Sequence, residues 1–288
     1  MKLKLNAIQE TAALLIIFAT GAIIKNNFQM QIFIHLAATV GFGVIIFYVF
    51  KYLTKQNKNI WNTIISCLLI FLVLHYGSKP TDALATMLVV TFVVFSKYFM
   101  EWKGSPIFNP VVLGFLALEL LSNFIPSLKL SFVSWWGASF SFGPVPVTLI
   151  MIAIWIILSF KVWRKWATSL SYLGFFAIFA LLAPIIIKGS TFPAALEFLK
   201  FTFTNSTIYF FTFLMLAEPR TSPLMKHQQI IYGLLAAIFS TLFLITSFPT
   251  SDLLAILIPN LYFFIVKWRM IRKMQASKQI TPQNNDAN

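Results

Sequence analysis

Long apolar runs separated by short polar gaps dominate the chain. Ten can be drawn, at about 7–24, 28–50, 61–77, 82–100, 111–128, 145–161, 167–187, 198–217, 228–247 and 252–267. Each approaches the roughly 20 apolar residues that carry a helix across a bilayer. Residues 69–74 are apolar on every face, and the absence of two-residue alternation there excludes a transmembrane barrel. The pattern predicts an all-α polytopic membrane protein with ten transmembrane helices. Residues 1–270 form the membrane domain and 271–288 a polar cytoplasmic tail.

Composition agrees with this reading. Of 288 residues, 59% are hydrophobic and 10% charged, and mean hydropathy is +0.82. A soluble domain carries about 25% charged residues. The net charge of +14 does not point to nucleic acid, because the basic residues fall in the gaps. Assigning the N-terminus and every second loop to one side collects Lys2, Lys4, Lys51, Lys55, Lys58, Lys97, Lys103, Lys161, Arg164, Lys165, Arg220, Lys226, Lys267, Arg269, Arg272, Lys273 and Lys278. That makes seventeen; only Lys25, Lys79, Lys129, Lys188 and Lys200 remain for the other side. Basic residues mark the cytoplasmic side, so both termini are expected there. The first span lacks a small-residue cleavage site after Gly21 and is read as retained. Cys67, the single cysteine, sits in an apolar run, and no zinc-like Cys/His spacing is present.

Polar residues inside the spans are the informative minority. Glu119 lies near the middle of the fifth run, with Ser122 and Asn123 at helical spacing on its face. Such a carboxylate is either a proton or cation station or a protonated group hydrogen-bonded between helices. His35 reads as a packing residue, and His75 and His227 as interfacial ones. Asn109 and Pro110 suit the start of a helix. Pro219 and Pro223 stop one helix and stiffen the turn to the next. Trp135 and Trp136 suit an aromatic belt at the membrane surface. Ten spans also divide as five plus five, at residues 1–130 and 131–270. An odd number per half makes the second half inverted, with 80–82 corresponding to 219–223, and inverted repeats place sites between the halves.

At these loops the chain resembles the flavin-carrying membrane subunits of respiratory ion pumps. This family is shared by the sodium-translocating NADH:quinone reductase and the Rnf electron transport complex. The resemblance runs from about residue 80 to 262. Ile107-Phe108-Asn109-Pro110-Val111-Val112-Leu113-Gly114 is similar to the family's FNP-x-x-L-G, with Lys97 where the preceding helix ends in a lysine. Glu218-Pro219-Arg220-Thr221-Ser222-Pro223, followed by Tyr232-Gly233, is similar to D-P-x-T-S-P...Y-G. Pro249 and Asn260 match the proline before the last helix and the asparagine within it.

The resemblance implies a ten-helix inverted repeat like that of urea and ammonium channels. It also implies FMN esterified to an outer S-G-A-T threonine, with riboflavin or a second flavin site known in relatives. Ser139, in Trp136-Gly137-Ala138-Ser139, occupies the acceptor position. Here the acceptor is serine, Trp136 precedes Gly137, and Val133 replaces the upstream aspartate. The implied role is electron transfer within an Rnf- or Nqr-like, ion-translocating oxidoreductase complex of a bacterial plasma membrane. Its partners would be the complex's other subunits, including a soluble flavin or iron–sulfur reductase. A small-solute channel or transporter of the same fold, and a membrane anchor for a soluble reductase, are the alternatives.

Overall fold

The computed structural model describes residues 6–75, 77, 79–102, 104–125, 133–137, 145–246 and 251–280. Twelve α-helices are described: α1 (Ala7–Lys25), α2 (Met30–Leu36), α3 (Phe42–Thr54), α4 (Ile60–Val73), α5 (Pro80–Phe99), α6 (Pro110–Phe124), α7 (Val145–Ile156), α8 (Trp166–Lys188), α9 (Phe192–Thr204), α10 (Ser206–Phe210), α11 (Lys226–Ile245) and α12 (Ser251–Ile280). A π-helical turn, Ala37–Gly41, joins α2 to α3. Others, Ile157–Val162 and Phe211–Leu216, extend α7 and α10. A small antiparallel hairpin, β1 (Glu101–Trp102) and β2 (Ser105–Pro106), separates α5 from α6.

Six helices are long and apolar enough to cross a membrane: Ala7–Lys25, Met30–Thr54, Pro80–Phe99, Trp166–Lys188, Lys226–Ile245 and Leu253–Lys273. Four shorter apolar helices accompany them, at Ile60–Val73, Pro110–Phe124, Ile152–Val162 and Ser206–Leu216. The chain is an all-α, multi-pass membrane protein. Exposed Ile17, Ile45, Phe92, Leu149 and Ile178 present the apolar outer surface that lipid requires.

Local sequence explains the helix starts. Asn6 and Gln9 form a reciprocal capping box on α1. The buried residues of α1, Thr11, Ala12, Leu15, Phe18, Ala19, Ala22 and Ile23, recur every three or four positions and form one stripe facing α4 and α7. By contrast, α4 is buried on all sides from Ser66 to Leu74, as is the chain from Phe210 to Ala217. These two short helices are the centre of the molecule. Around them α5 packs on α6, α11 on α12, α3 on α5, α8 on α11, and α6 crosses to α12.

The ends of the short helices depart from the sequence expectation. The run at 61–77 yields a helix that stops at Val73, and Leu74 is already extended. The run at 198–217 is divided at Asn205, which caps α10 by accepting from the Thr207 amide at 3.1 Å. At 1.5 Å per residue, Ser206–Leu216 is only about 16 Å long. The first helix ends where the amides of Ser134, Trp135 and Gly137 take the Val73 and Leu72 carbonyls, and Pro219 ends the second.

Candidate functional site

Asn109 begins the site. As the N-cap of α6, its Oδ1 accepts from the Val111 and Val112 amides at 3.0 and 3.2 Å, and Pro110 fills the first helical position. The rest of Asn109 reaches across the molecule. Its Nδ2 donates to the Met215 carbonyl at 3.2 Å, near the end of the second short helix. Its amide donates to Asn260 Oδ1 at 2.8 Å, across 151 positions of sequence. Asn260, fully buried in α12, donates from Nδ2 to the Thr221 carbonyl at 3.2 Å and to the Tyr232 hydroxyl.

The 218–223 segment is tied into the same network. The Ser222 hydroxyl donates to the Glu218 carbonyl at 2.6 Å, and the Thr221 hydroxyl to Glu218 Oε2 at 3.2 Å. Lys165, fully buried between α7 and α8, donates to the Ser222 and Pro223 carbonyls at 2.9 and 2.6 Å. Burial lowers the Lys165 ammonium to about 8. Thus Asn109, Thr221, Ser222, Pro223, Tyr232 and Asn260 form one buried knot with Met215 and Lys165.

Beside the knot lies a cavity of roughly 380 Å³. Its walls are largely apolar, with Ile65, Leu69, Val162, Trp163 and Pro110 among them. Its polar groups are few: Thr11, Asn62, Lys97, Glu218 and Arg220. Lys97 is buried at the end of α5 and donates to the Asn62 carbonyl. Enclosure raises the Glu218 carboxyl, although Lys97, Arg220 and the Thr221 hydroxyl act in the other direction. Trp163 Nε1 donates to Thr11 Oγ1 at 2.9 Å, which fixes the wall where α1 meets the end of the Ile157–Val162 turn.

A charged cluster carried by the hairpin borders this cavity. Lys58 pairs with Glu101 at 2.8 Å and donates to the Lys97 carbonyl, so the α3–α4 loop is tied to the end of α5. Arg220 lies 3.6 Å from Glu101 and donates to the Gly104 carbonyl at 2.8 Å. Gly104 has φ +75°, a turn conformation that favours glycine. A convergent lysine, carboxyl and guanidinium on an apolar cavity of this size suit a small organic ligand.

On the opposite short helix, 133–137 closes the end of α4. The Ser134 and Trp135 amides donate to the Val73 carbonyl at 2.9 and 3.0 Å, and the Gly137 amide to the Leu72 carbonyl at 2.9 Å. Trp136 Nε1 donates to the Phe71 carbonyl at 2.5 Å, and its ring meets Phe71 edge-on. A Cβ on Gly137 would stand 2.5 Å from Leu72 Cδ2 and 3.0 Å from Leu72 Cα, so only glycine lets the loop approach this closely. Ala138 and Ser139 lie outside the described residues, as does Pro249.

The remaining candidates are scattered. Glu119 and Ser122 are buried on α6, Asn123 is exposed, and Glu119 does not line the 380 Å³ cavity. His35 is buried, stacks on Phe71 with centroids 5.4 Å apart, and has Nδ1 3.4 Å from the Thr86 hydroxyl, as a packing residue would. His75 and His227 are exposed. Among the described residues no group of three His, Cys, Asp or Glu side chains could hold a metal ion.

Charge counting treats Lys58, Lys97 and Lys165 as topology markers. It misses that Lys97 and Lys165 are interior and that Lys58 joins Glu101 and Arg220; the one sequence signal is a lysine inside the apolar run at 82–100. No known family model matches the chain, and no curated protein matches it.

Proposed function

We propose that this chain is a membrane-embedded electron-transfer subunit of an Rnf- or Nqr-like, ion-translocating oxidoreductase complex in a bacterial plasma membrane. One observation carries the reading. The segments that prompted the family resemblance, 107–114, 218–223 with Tyr232, and Asn260, are distant in sequence yet meet in one hydrogen-bonded knot beside the 380 Å³ cavity. The proposal includes ten spans, formed by the six long and four shorter apolar helices, with both termini cytoplasmic. It also includes two inverted halves. Supporting that division, α1, α4, α5 and α6 find counterparts in α7, α10, α11 and α12: each half has a short helix enclosed over its C-terminal part and, after it, a tightly packed helix pair.

The residues present fit a flavin. Apolar walls would suit an isoalloxazine ring, and Lys97 and Arg220 would supply positive charge to hold it. When bound, the flavin supplies one- and two-electron redox chemistry. The protein's part would be to exclude water through Ile65, Leu69 and Trp163, and to hold positive charge and the enclosed Glu218 carboxyl nearby. A second flavin, esterified as FMN to Ser139, would follow a segment pinned to α4 through Gly137. Glu119 is the candidate for a coupled proton or cation. A soluble flavin or iron–sulfur reductase would deliver electrons on the basic side.

In-gel flavin fluorescence of denatured protein, expressed with a flavin transferase, tests the covalent part. Fluorescence that disappears in Ser139→Ala is expected. A dark band of unmodified mass would remove the covalent flavin. If native protein also carried no flavin but moved a small solute across vesicle membranes, the channel alternative would replace this reading.

A further inference from the structure

We propose that Arg269, Arg272 and Lys273 form a binding site for the headgroup of an anionic phospholipid, with an acyl chain running along Leu261 and Ile265 of the same helix face. The spacing is the starting point. From Leu261 the steps to Ile265 and Arg269 are four residues each, and Arg272 and Lys273 follow at three and four. Residues so spaced share one side of a helix. Exposure follows the same line: from 261 to 273 these five are exposed, and the residues between them are partly covered. One face of α12 therefore presents an apolar stripe that changes at once into three cations.

The level of the cations fits a headgroup. Asn260 donates to Tyr232 between the antiparallel helices α11 and α12, so Lys267 stands level with Lys226. Lys226 lies over the Trp166 ring at 5.4 Å. These aromatic and basic residues mark the interface that tryptophan and lysine prefer. The apolar run of α12 gives out at Val266, and Arg269 to Lys273 lie two to six residues beyond Lys267, about 3–9 Å further along. Arg272 is held there by its stacking over Trp268, 4.0 Å from the ring centroid.

Among the described residues the three cations have no competing carboxylate partner. The ion pairs there involve Lys58, Lys200 and Arg220, and the one carboxylate of α12, Asp252, lies at its other end. Two guanidinium groups suit the paired oxygens of a phosphodiester. The stripe next to them separates a lipid from a free anion or an acidic soluble protein, neither of which would use Leu261 and Ile265. Juxtamembrane clusters of this kind attract anionic lipid by about fivefold per cation.

The test is native mass spectrometry of the delipidated full chain titrated with phosphatidylglycerol or phosphatidylcholine. Phosphatidylglycerol adducts should form in preference, survive millimolar inorganic phosphate, and weaken about 100–150-fold in R269Q/R272Q/K273Q. The control K51Q/K55Q should retain them. If the triple variant fails to fold, K273Q alone should weaken them about fivefold. Equal adducts with both lipids, unchanged adducts in the variants, or full displacement by inorganic phosphate would each overturn the proposal.

Discussion

Replacing Asn260 by leucine removes the side chain on which the buried knot turns, at nearly constant volume. Asn260 accepts from the Asn109 amide at 2.8 Å and donates to the Thr221 carbonyl at 3.2 Å and to the Tyr232 hydroxyl. Asn109 and Asn260 are fully buried and Thr221 nearly so. Leucine leaves the Asn109 N–H and the Thr221 carbonyl without partners, and each unpaired buried group costs about 1–3 kcal/mol. The Tyr232 hydroxyl is less damaging because it can rotate, and leucine regains some apolar contact. The sum is about 3 kcal/mol. A chain of this size loses roughly 2–4 °C of melting temperature per kcal/mol, so Asn260→Leu should melt about 6–12 °C lower. Thermal unfolding of purified protein in detergent, followed by tryptophan fluorescence, reads this out. Tyr232→Phe should cost only about 1 kcal/mol, and adding it to Asn260→Leu should cost almost nothing more, because the two act through one bond. A shift below about 2 °C for Asn260→Leu, or full additivity in the pair, would refute the reasoning.

Four further outcomes are expected. Gly233→Ala places a Cβ 2.0 Å from Ser171 Oγ and 2.7 Å from the Thr168 carbonyl, so α8 and α11 must separate at a cost of about 1–3 kcal/mol. Gly174→Ala meets nothing within 4 Å and should leave the melting temperature unchanged or slightly raised, which the same melts will check. Gly137→Val drives its side chain into Leu72 and should lower stability by about 1–3 kcal/mol; an unaltered melt would mean that the loop does not sit on α4. For Lys165 the folded ammonium titrates at about 8 and the unfolded one at 10.5, so the unfolded chain binds more protons between those values. Stability should therefore rise with pH from about 8 to 10.5, by up to about 3 kcal/mol relative to Lys165→Met, and parallel pH curves for the two proteins would contradict this.

Apolar runs made the helical membrane class legible, because a lipid solvent leaves few alternatives to a helix. Asn109 and Pro110 were legible as a helix start from their own chemistry, and the structure has them there. The true ends of α4 and α10 were not. Leu74 and Ala217 are as apolar as the residues before them; the first helix ends where the distant 133–137 segment takes its last carbonyls, and the second where Pro219 follows. Lys97 and Lys165 were misplaced for a similar reason. Near a helix end a lysine reads as a topology mark, and only packing decides whether it snorkels outward or turns in to a carbonyl such as that of Asn62 or Ser222. The cavity itself had no local signature, since Thr11, Lys97, Trp163 and Glu218 come from four separate segments.

The most direct test of the central claim is the flavin content of the native, purified chain, read from its visible absorption spectrum before and after anaerobic reduction, beside Lys97→Met. The account predicts a bleachable flavin band in the native protein, with the part released by acid precipitation greatly reduced in Lys97→Met. A folded protein that is colourless as purified, and that stays colourless after incubation with riboflavin and FMN, would contradict it.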